Sequence, residues 1–184
     1  MPFCRDIYFY VEGDDDKRFF ERIVKKLILK SKKYENIHVL QWRQKKEYLV
    51  KNFIKKYLEK GCKVVFVRDY DNSAQNNEEM NRIISSLEEE TMQRYNIKSK
   101  EDIFIVRREI ESWYRAGIKN NLLKKYHITP IENTNTFSKE EFERLIPEGM
   151  SQTEFLIEIV ENFDVKLAKK KNSSFKDFMT RMKL

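Results

Sequence analysis

The chain alternates short apolar runs, rich in β-branched and aromatic residues, with longer stretches in which apolar residues recur every three to four positions. The short runs predict four β-strands, at 7–11, 37–40, 63–67 and 103–106. The longer stretches predict an amphipathic helix after each of the first three strands. Asp14 is the expected N-cap of the first helix, and Gly61 is expected to end the second.

Strands that alternate with helices of this length predict right-handed βαβ units. The predicted fold is therefore a Rossmann-like α/β fold, with a mainly parallel sheet of about four strands flanked by helices. Beyond residue 106 the pattern is helical to the C-terminus, with breaks near Pro130 and Pro147. We expect an α/β core over residues 1–118 and a helical extension over 119–184 that packs on or beside it.

Composition excludes several classes of protein. With 184 residues, 40% of them apolar, the chain is long enough to bury a core and is not typical of a disordered protein. The sequence has neither a phosphate loop of the Walker type nor a dinucleotide glycine fingerprint, which argues against nucleotide-driven motors and NAD enzymes. No signal peptide and no apolar stretch of membrane-spanning length is visible. Because Cys4 and Cys62 lack metal-ligand spacing, we expect buried, reduced thiols in a cytoplasmic protein.

Positive charge is concentrated in residues 17–63, which hold 16 Lys and Arg against 4 Asp and Glu, whereas the whole chain has a formal charge of +7. Such a block is typical of a protein that binds a polyanion, and nucleic acid is the expected partner. A solvated, lysine-rich helix surface would give the same count, and both interpretations stay open. The side chains expected at a phosphate backbone are Lys45, Lys46, Arg68, Arg107, Arg108, Lys169, Lys170 and Lys171. The arginines could equally pair with carboxylates, and the last three lysines could equally belong to a packed terminal helix.

The helix predicted at 45–60 connects this charge to the sheet. Its two apolar rows are Leu49, Phe53, Tyr57 and Val50, Ile54, Leu58. Both rows are expected to face the sheet, which directs the intervening lysines outward. A positive surface would then extend toward the edge where the carboxyl ends of the strands lie, the usual ligand site of such sheets.

Three of the predicted strands are followed by carboxylates. They are Glu12 after the first strand, Asp69 and Asp71 after the third, and Glu109 and Glu111 after the fourth. In a parallel sheet these side chains share one edge, where their mutual repulsion requires protons or a cation. Oxygen ligands suit Mg²⁺ or Mn²⁺, and the two histidines are too few for a zinc cluster. Each acid taken singly could instead cap a helix or form a turn.

The same residues carry a resemblance to a known family. Val11-Glu12-Gly13 and Phe66-Val67-Arg68-Asp69-Tyr70-Asp71 resemble the two Toprim motifs, and the segment 109–113 is similar to one in compact Toprim-like proteins related to the overcoming-lysogenization-defect nucleases. The resemblance covers about residues 6–115. It implies that Glu12 acts as general acid/base or as an additional metal ligand and that Asp69 and Asp71 hold the metal, with Glu109 and Glu111 as further acids. It also implies metal-dependent phosphodiester chemistry on nucleic acid, as in a small nuclease.

Other functions stay open. The protein could be a non-catalytic nucleic-acid-binding or regulatory module with a degenerate metal site. It could also be an aspartate-dependent phosphatase in which Asp69 is the nucleophile and Asp71 the general acid, although Glu12 would then have no role. Metal-dependent glycosyltransferases share the Asp-x-Asp pattern, but nothing in the sequence indicates a nucleotide-sugar pocket. A protein partner or a homo-oligomer is compatible with each of these functions.

Overall fold

The computed structural model of the protein describes residues 4–70 and 76–184. The chain forms two compact units, Met1–Ile105 and Val106–Leu184. The functional division expected after residue 118 stays a prediction. No helix among the described residues is both long enough and apolar enough to cross a membrane.

The predicted parallel sheet is confirmed. Its strands are β1 (Asp6–Val11), β2 (Asn36–Gln41), β3 (Lys63–Tyr70) and β4 (Ile103–Arg107). Their order is β2-β1-β3-β4, and all four run parallel. β3 continues past the predicted end at Val67, so that Arg68 and Asp69 are still in extended backbone and point to opposite faces of the sheet.

Helices join the strands as the periodicity predicts. They are α1 (Asp14–Phe19), a π-helical segment (Phe20–Val24), α2 (Lys25–Ser31), α3 (Glu47–Glu59) and α4 (Asn77–Tyr95), followed by a 3₁₀ turn (Lys100–Asp102) before β4. Gly61 follows the end of α3 with φ of +74°, which confirms its expected role. Asp14 is the first helical residue rather than the N-cap, because Gly13 occupies the N-cap position.

Apolar side chains cover both faces of the sheet. On one face Phe9 of β1 packs on Phe20, with ring centroids 5.1 Å apart. On the other, Val50 and Ile54 of α3 join a buried cluster that includes Phe66 of β3.

The prediction that both apolar rows of α3 are buried is wrong. Leu49 and Phe53 are 37% and 42% exposed, whereas Val50 and Ile54 are buried. A single helix presents only one main stripe to the sheet, so Leu49 and Phe53 of the second row are turned toward solvent, whereas Tyr57 stacks on Tyr8 of β1.

The prediction of reduced cysteines is also wrong, since Cys4 and Cys62 form a disulfide with their Cα atoms 4.8 Å apart. The pairing of Ile7 with Lys63 in the sheet explains the contact, because it brings the segment before β1 beside the start of β3. The expected cytoplasmic location loses this support and stays a prediction.

The second unit is helical, as expected, after the end of β4. Its helices are α5 (Ile110–Ala116), α6 (Asn120–Lys125), α7 (Lys139–Glu143), α8 (Gln152–Glu161), α9 (Val165–Lys171) and α10 (Ser173–Arg181). Asn172, buried between α9 and α10, donates to Thr134 Oγ1 at 3.0 Å and to Ser112 Oγ at 3.2 Å. Its Oδ1 accepts from Ser174 Oγ at 2.8 Å, and that hydroxyl accepts from Trp113 Nε1, also at 2.8 Å. This polar network fixes the start of α5 against the last two helices.

Candidate active site at the carboxyl edge of the sheet

Glu12 lies at the carboxyl end of β1, where the chain turns toward α1. The residue is only 7% exposed. Its Oε2 accepts a hydrogen bond from the backbone N–H of Asp69 at 3.1 Å, and its Oε1 accepts one from Nη1 of Arg43. Both oxygens of a buried carboxylate are thus satisfied, one by the end of β3 and one by a guanidinium.

Arg43 is a site residue that the sequence analysis missed. β2 ends opposite the end of β1, with Gln41 in register with Val11, and the N–H of Trp42 donates to the Val11 carbonyl at 3.0 Å. The segment after β2 is therefore held beside the end of β1, where the chain turns at Glu12. The side chain of Arg43 is 64% exposed, so the ion pair lies at the rim of the edge. A lone arginine in a turn gives no periodic signal by which the sequence could have identified it.

Asp69, the second predicted acid, lies within β3 and is partly buried. The structure therefore brings Glu12 and Asp69 together, although they are 57 positions apart in the sequence. Asp71 lies outside the described residues, so its predicted place beside them stays a prediction.

Three aspartates follow Glu12 at the start of α1, where negative charge favours the helix dipole. Asp14 accepts from Gln41 Nε2 at 2.8 Å, and Asp15 pairs with Arg18. Asp16 is buried, and its Oδ2 accepts from the N–H of Gly13 at 3.1 Å. Asp16 is thus a second buried carboxylate close in sequence to Glu12, at the start of α1.

Arg68 points away from Asp69, as neighbouring residues of a strand must. Its Nη1 lies 3.3 Å from Glu90 Oε2 and 3.2 Å from Thr91 Oγ1, both on α4. This ion pair with α4 is the alternative that the sequence left open. The expected phosphate contact of Arg68 stays a prediction.

Lys45 and Lys46 are exposed and lie two and three residues beyond Arg43, immediately before α3. The chain passes directly from the end of β2 to α3, so both lysines lie near the edge that carries Glu12. Tyr48, in the first turn of α3, is 58% exposed. This stretch therefore presents two cations and an aromatic ring to solvent.

Glu109 and Glu111 belong to the second unit. Glu109 is the N-cap residue of α5, and its Oε2 accepts from the N–H of Lys139 at 2.7 Å, at the start of α7. Glu111 is buried in the first turn of α5. Because the helix begins at Ile110, Glu109 and Glu111 lie at the start of a helix rather than in the extended backbone of a strand end.

The remaining basic candidates also lie in the second unit. Arg107 and Arg108 are partly exposed, and Arg108 has a left-handed backbone with φ of +64°. In α9, Lys170 is exposed and Lys169 partly exposed. Lys171 is buried, which corrects its expected place on an exposed basic surface: the side chain lies on the packed side of the helix.

The acids at the carboxyl edge of the sheet have the type of donor atom found in magnesium sites. Glu12 and Asp69 offer the oxygen ligands that Mg²⁺ and Mn²⁺ prefer. Each Glu12 oxygen uses one lone pair for its hydrogen bond and keeps a second. Within residues 4–70 and 76–184 no three His, Cys, Asp or Glu side chains form a group that could hold a metal ion. The predicted ligand set therefore fits by donor type, with Asp71 needed as its third member.

Known proteins show little similarity to this chain. No family model matches the chain, and no curated protein matches it. The structure is similar to a solved structure, the C-terminal region of the Burkholderia pseudomallei OLD protein, with a TM-score of 0.41 and 16% identity over 98% of each chain. A similarity this low carries no argument about residues or activity, and the α/β fold rests on the sheet itself.

Proposed function

We propose that the protein carries out metal-dependent phosphodiester chemistry on nucleic acid at the edge formed by Glu12, Asp69 and Asp71, as a small nuclease. One observation carries the proposal: the hydrogen bond from the Asp69 N–H to Glu12 Oε2, 3.1 Å long, holds a buried carboxylate at the ends of two adjacent parallel strands. Ligands bind at this edge in open α/β sheets. Acids from two strands are costly to hold together there unless a cation or protons compensate them.

The proposed roles follow from position. Asp69 and Asp71 would hold Mg²⁺ or Mn²⁺, and a bound divalent ion supplies charge stabilisation to a transferring phosphoryl group. Glu12 would hold or release the proton of the attacking or leaving oxygen, since its carboxylate is oriented from two sides. Lys45 and Lys46 would bind the phosphate backbone beside the acids, and the exposed ring of Tyr48 offers a face for a base.

A second candidate is a non-catalytic nucleic-acid-binding module, and the ion pair between Arg43 and Glu12 favours it. The guanidinium of Arg43 compensates the negative charge of Glu12, the proposed general base, without a metal. In that case the edge would bind nucleic acid through its lysines while the carboxylates remain structural.

Cleavage assays on single- and double-stranded DNA and RNA, with Mg²⁺ or Mn²⁺, decide between the two. Glu12→Gln keeps the acceptor for the Asp69 N–H but cannot take a proton, so turnover should fall by about 10²–10⁴-fold with nucleic-acid affinity unchanged. Glu35→Gln, an exposed acid paired with Arg5, is the matched control and should keep full activity. Wild-type protein that binds nucleic acid but leaves all four substrates intact would refute the nuclease and favour the module. A phosphatase would instead hydrolyse a phosphomonoester, lose activity in Asp69→Asn and keep it in Glu12→Gln.

A further inference from the structure

Arg115, on α5 in the second unit, is a buried cation with an incomplete set of partners. The residue is 1% exposed. Its Nη2 donates to the carbonyl oxygen of Thr129, and its guanidinium carbon lies 5.8 Å from the ring centroid of Phe137. Its Nε and Nη1 donate to no atom in the part of the chain that the structure describes. A buried guanidinium with two unused donors is unfavourable, because each donor has lost its hydration without gaining an acceptor.

A second buried cation lies near it. Lys171, the last residue of α9, is 7% exposed, and α9 packs against α5. Burial lowers the pKa of Lys171, and the charge of Arg115 lowers it further, whereas the exposed Glu132 acts in the opposite direction. Burial also lowers the pKa of Arg115, to about 10. Two positive charges therefore share one buried region, and the exposed Glu132 compensates that of Lys171 only in part.

One segment of chain is tied to both cations. Thr129 accepts from Arg115 through its carbonyl, and the N–H of Thr134 donates to the carbonyl of Lys171 at 2.9 Å. Thr129 also lines an open cleft of about 500 Å³ together with Lys124 and His127. Solvent thus reaches the segment whose Thr129 carbonyl accepts from Arg115.

We propose that Arg115 and Lys171 together bind a small oxyanion of the phosphate or sulfate type inside the second unit. Such an anion would place negative charge beside the two cations and supply acceptors for the unused guanidinium donors. The burial of both side chains requires a small ligand, since a nucleic-acid backbone could not reach them without unfolding the surrounding helices. This site is independent of the acidic edge and of the nuclease function proposed for it.

Thermal unfolding of the whole chain tests the site, with phosphate or sulfate compared with chloride at equal ionic strength. Phosphate should raise the Tm of the wild type saturably, by several degrees, because it binds only the folded protein. Arg115→Met, of similar length but neutral, should unfold at a temperature that no longer depends on phosphate. Lys170→Met, one residue from Lys171 but exposed, is the matched control and should keep the full shift. The variant Glu12→Gln should also keep it, which separates this site from the acidic edge.

Two further measurements keep the proposal testable if Arg115→Met does not fold. In Lys171→Met, the phosphate concentration that gives half of the full Tm shift should be at least tenfold higher than in the wild type. Equilibrium dialysis of the wild type should show one phosphate per chain, displaced by sulfate and not by chloride. Absence of saturable phosphate and sulfate binding to the wild type, or an equal loss in Lys170→Met and Lys171→Met, would overturn the proposal.

Discussion

The backbone N–H of Asp69 donates to the side chain of Glu12 over 3.1 Å, beyond the last backbone pair between their strands. The ladder from β1 to β3 runs from Ile7 with Lys63 to Tyr10 with Phe66. Past that pair the carboxylate of Glu12, rather than a backbone carbonyl, accepts from β3. A polar side chain between two strand ends suits a ligand site, because it places an ionisable group at the carboxyl edge of the sheet.

The first prediction concerns the metal ligands. Asp69→Asn and Asp71→Asn should each abolish or strongly weaken Mn²⁺ binding, because each removes a negatively charged oxygen ligand. Calorimetric titration measures the binding, and the rise in Tm with Mn²⁺ should disappear in parallel. Asp177→Asn, an exposed acid paired with Arg181, is the control. Titrations of the two site variants that match the wild type would refute this ligand set.

Arg43 competes with any cation for Glu12, which gives the second prediction. Arg43→Gln removes an exposed positive charge and releases Glu12 Oε1. Mn²⁺ affinity should therefore rise about fivefold, equivalent to the ~1 kcal/mol of an exposed ion pair. Lys45→Gln removes the same charge two residues away and should change the affinity much less. Weaker Mn²⁺ binding in Arg43→Gln would show that Arg43 supports the site instead of competing for it.

The third prediction compares the two ends of α3. Replacing Lys45 and Lys46 with Gln should weaken nucleic-acid binding and flatten the dependence of log affinity on log salt by about one unit per lost phosphate contact. Lys55 and Lys56, ten residues farther along, are also exposed and lie about 15 Å away along the helix axis. The same double substitution there should have little effect. An equal loss from both pairs would mean that the lysines act only through net charge.

Much of this fold could be predicted because its signals are local. A buried parallel strand is a short apolar run, and the runs here are separated from one another by helices with clear 3.6-residue periodicity. The proximity of Glu12 and Asp69 followed from the same reasoning, since the carboxyl ends of parallel strands meet at one edge.

The features that the sequence did not show depend on register and on shape. The disulfide between Cys4 and Cys62 requires the alignment of β1 with β3, which no local pattern encodes. The contact of Arg43 with Glu12 spans 31 positions and depends on the course of the turn after β2. The exposure of Leu49 and Phe53 reflects how much of one helix a flat sheet can cover, a property of the packed structure rather than of the helix sequence.

The fourth prediction concerns the disulfide, whose cysteines are separated by 58 positions. Cys4→Ser and Cys62→Ser should each lower the free energy of unfolding by about 2–4 kcal/mol, because the cross-link restricts the unfolded chain. The double variant should lose no more than either single variant, and reductant should bring the wild type to the same level in urea unfolding. The wild type unfolded without reductant should contain no free thiol. Detection of two thiols there would contradict the disulfide.

The last prediction is a pH dependence in the second unit. Glu158 of α8 accepts hydrogen bonds from Nζ of Lys125 and from the hydroxyl of Tyr126, and these lower its pKa, the contact with Lys125 most. A carboxyl whose pKa is lower in the folded state stabilises the fold above its unfolded pKa of about 4.3. That stabilisation is lost as the pH falls from there through the lower pKa of the folded state.

Glu158→Gln should therefore lower the free energy of unfolding by about 1 kcal/mol at pH 7, since a charged acceptor is replaced by a neutral one. Urea unfolding between pH 7 and pH 3 should show that the difference in free energy of unfolding between the variant and the wild type shrinks as the carboxyl of Glu158 is protonated. Glu161→Gln, an exposed position on the same helix, should show a small difference that does not follow this course. A gap between Glu158→Gln and the wild type that stays constant down to pH 3 would mean that the side chain contributes through packing rather than charge.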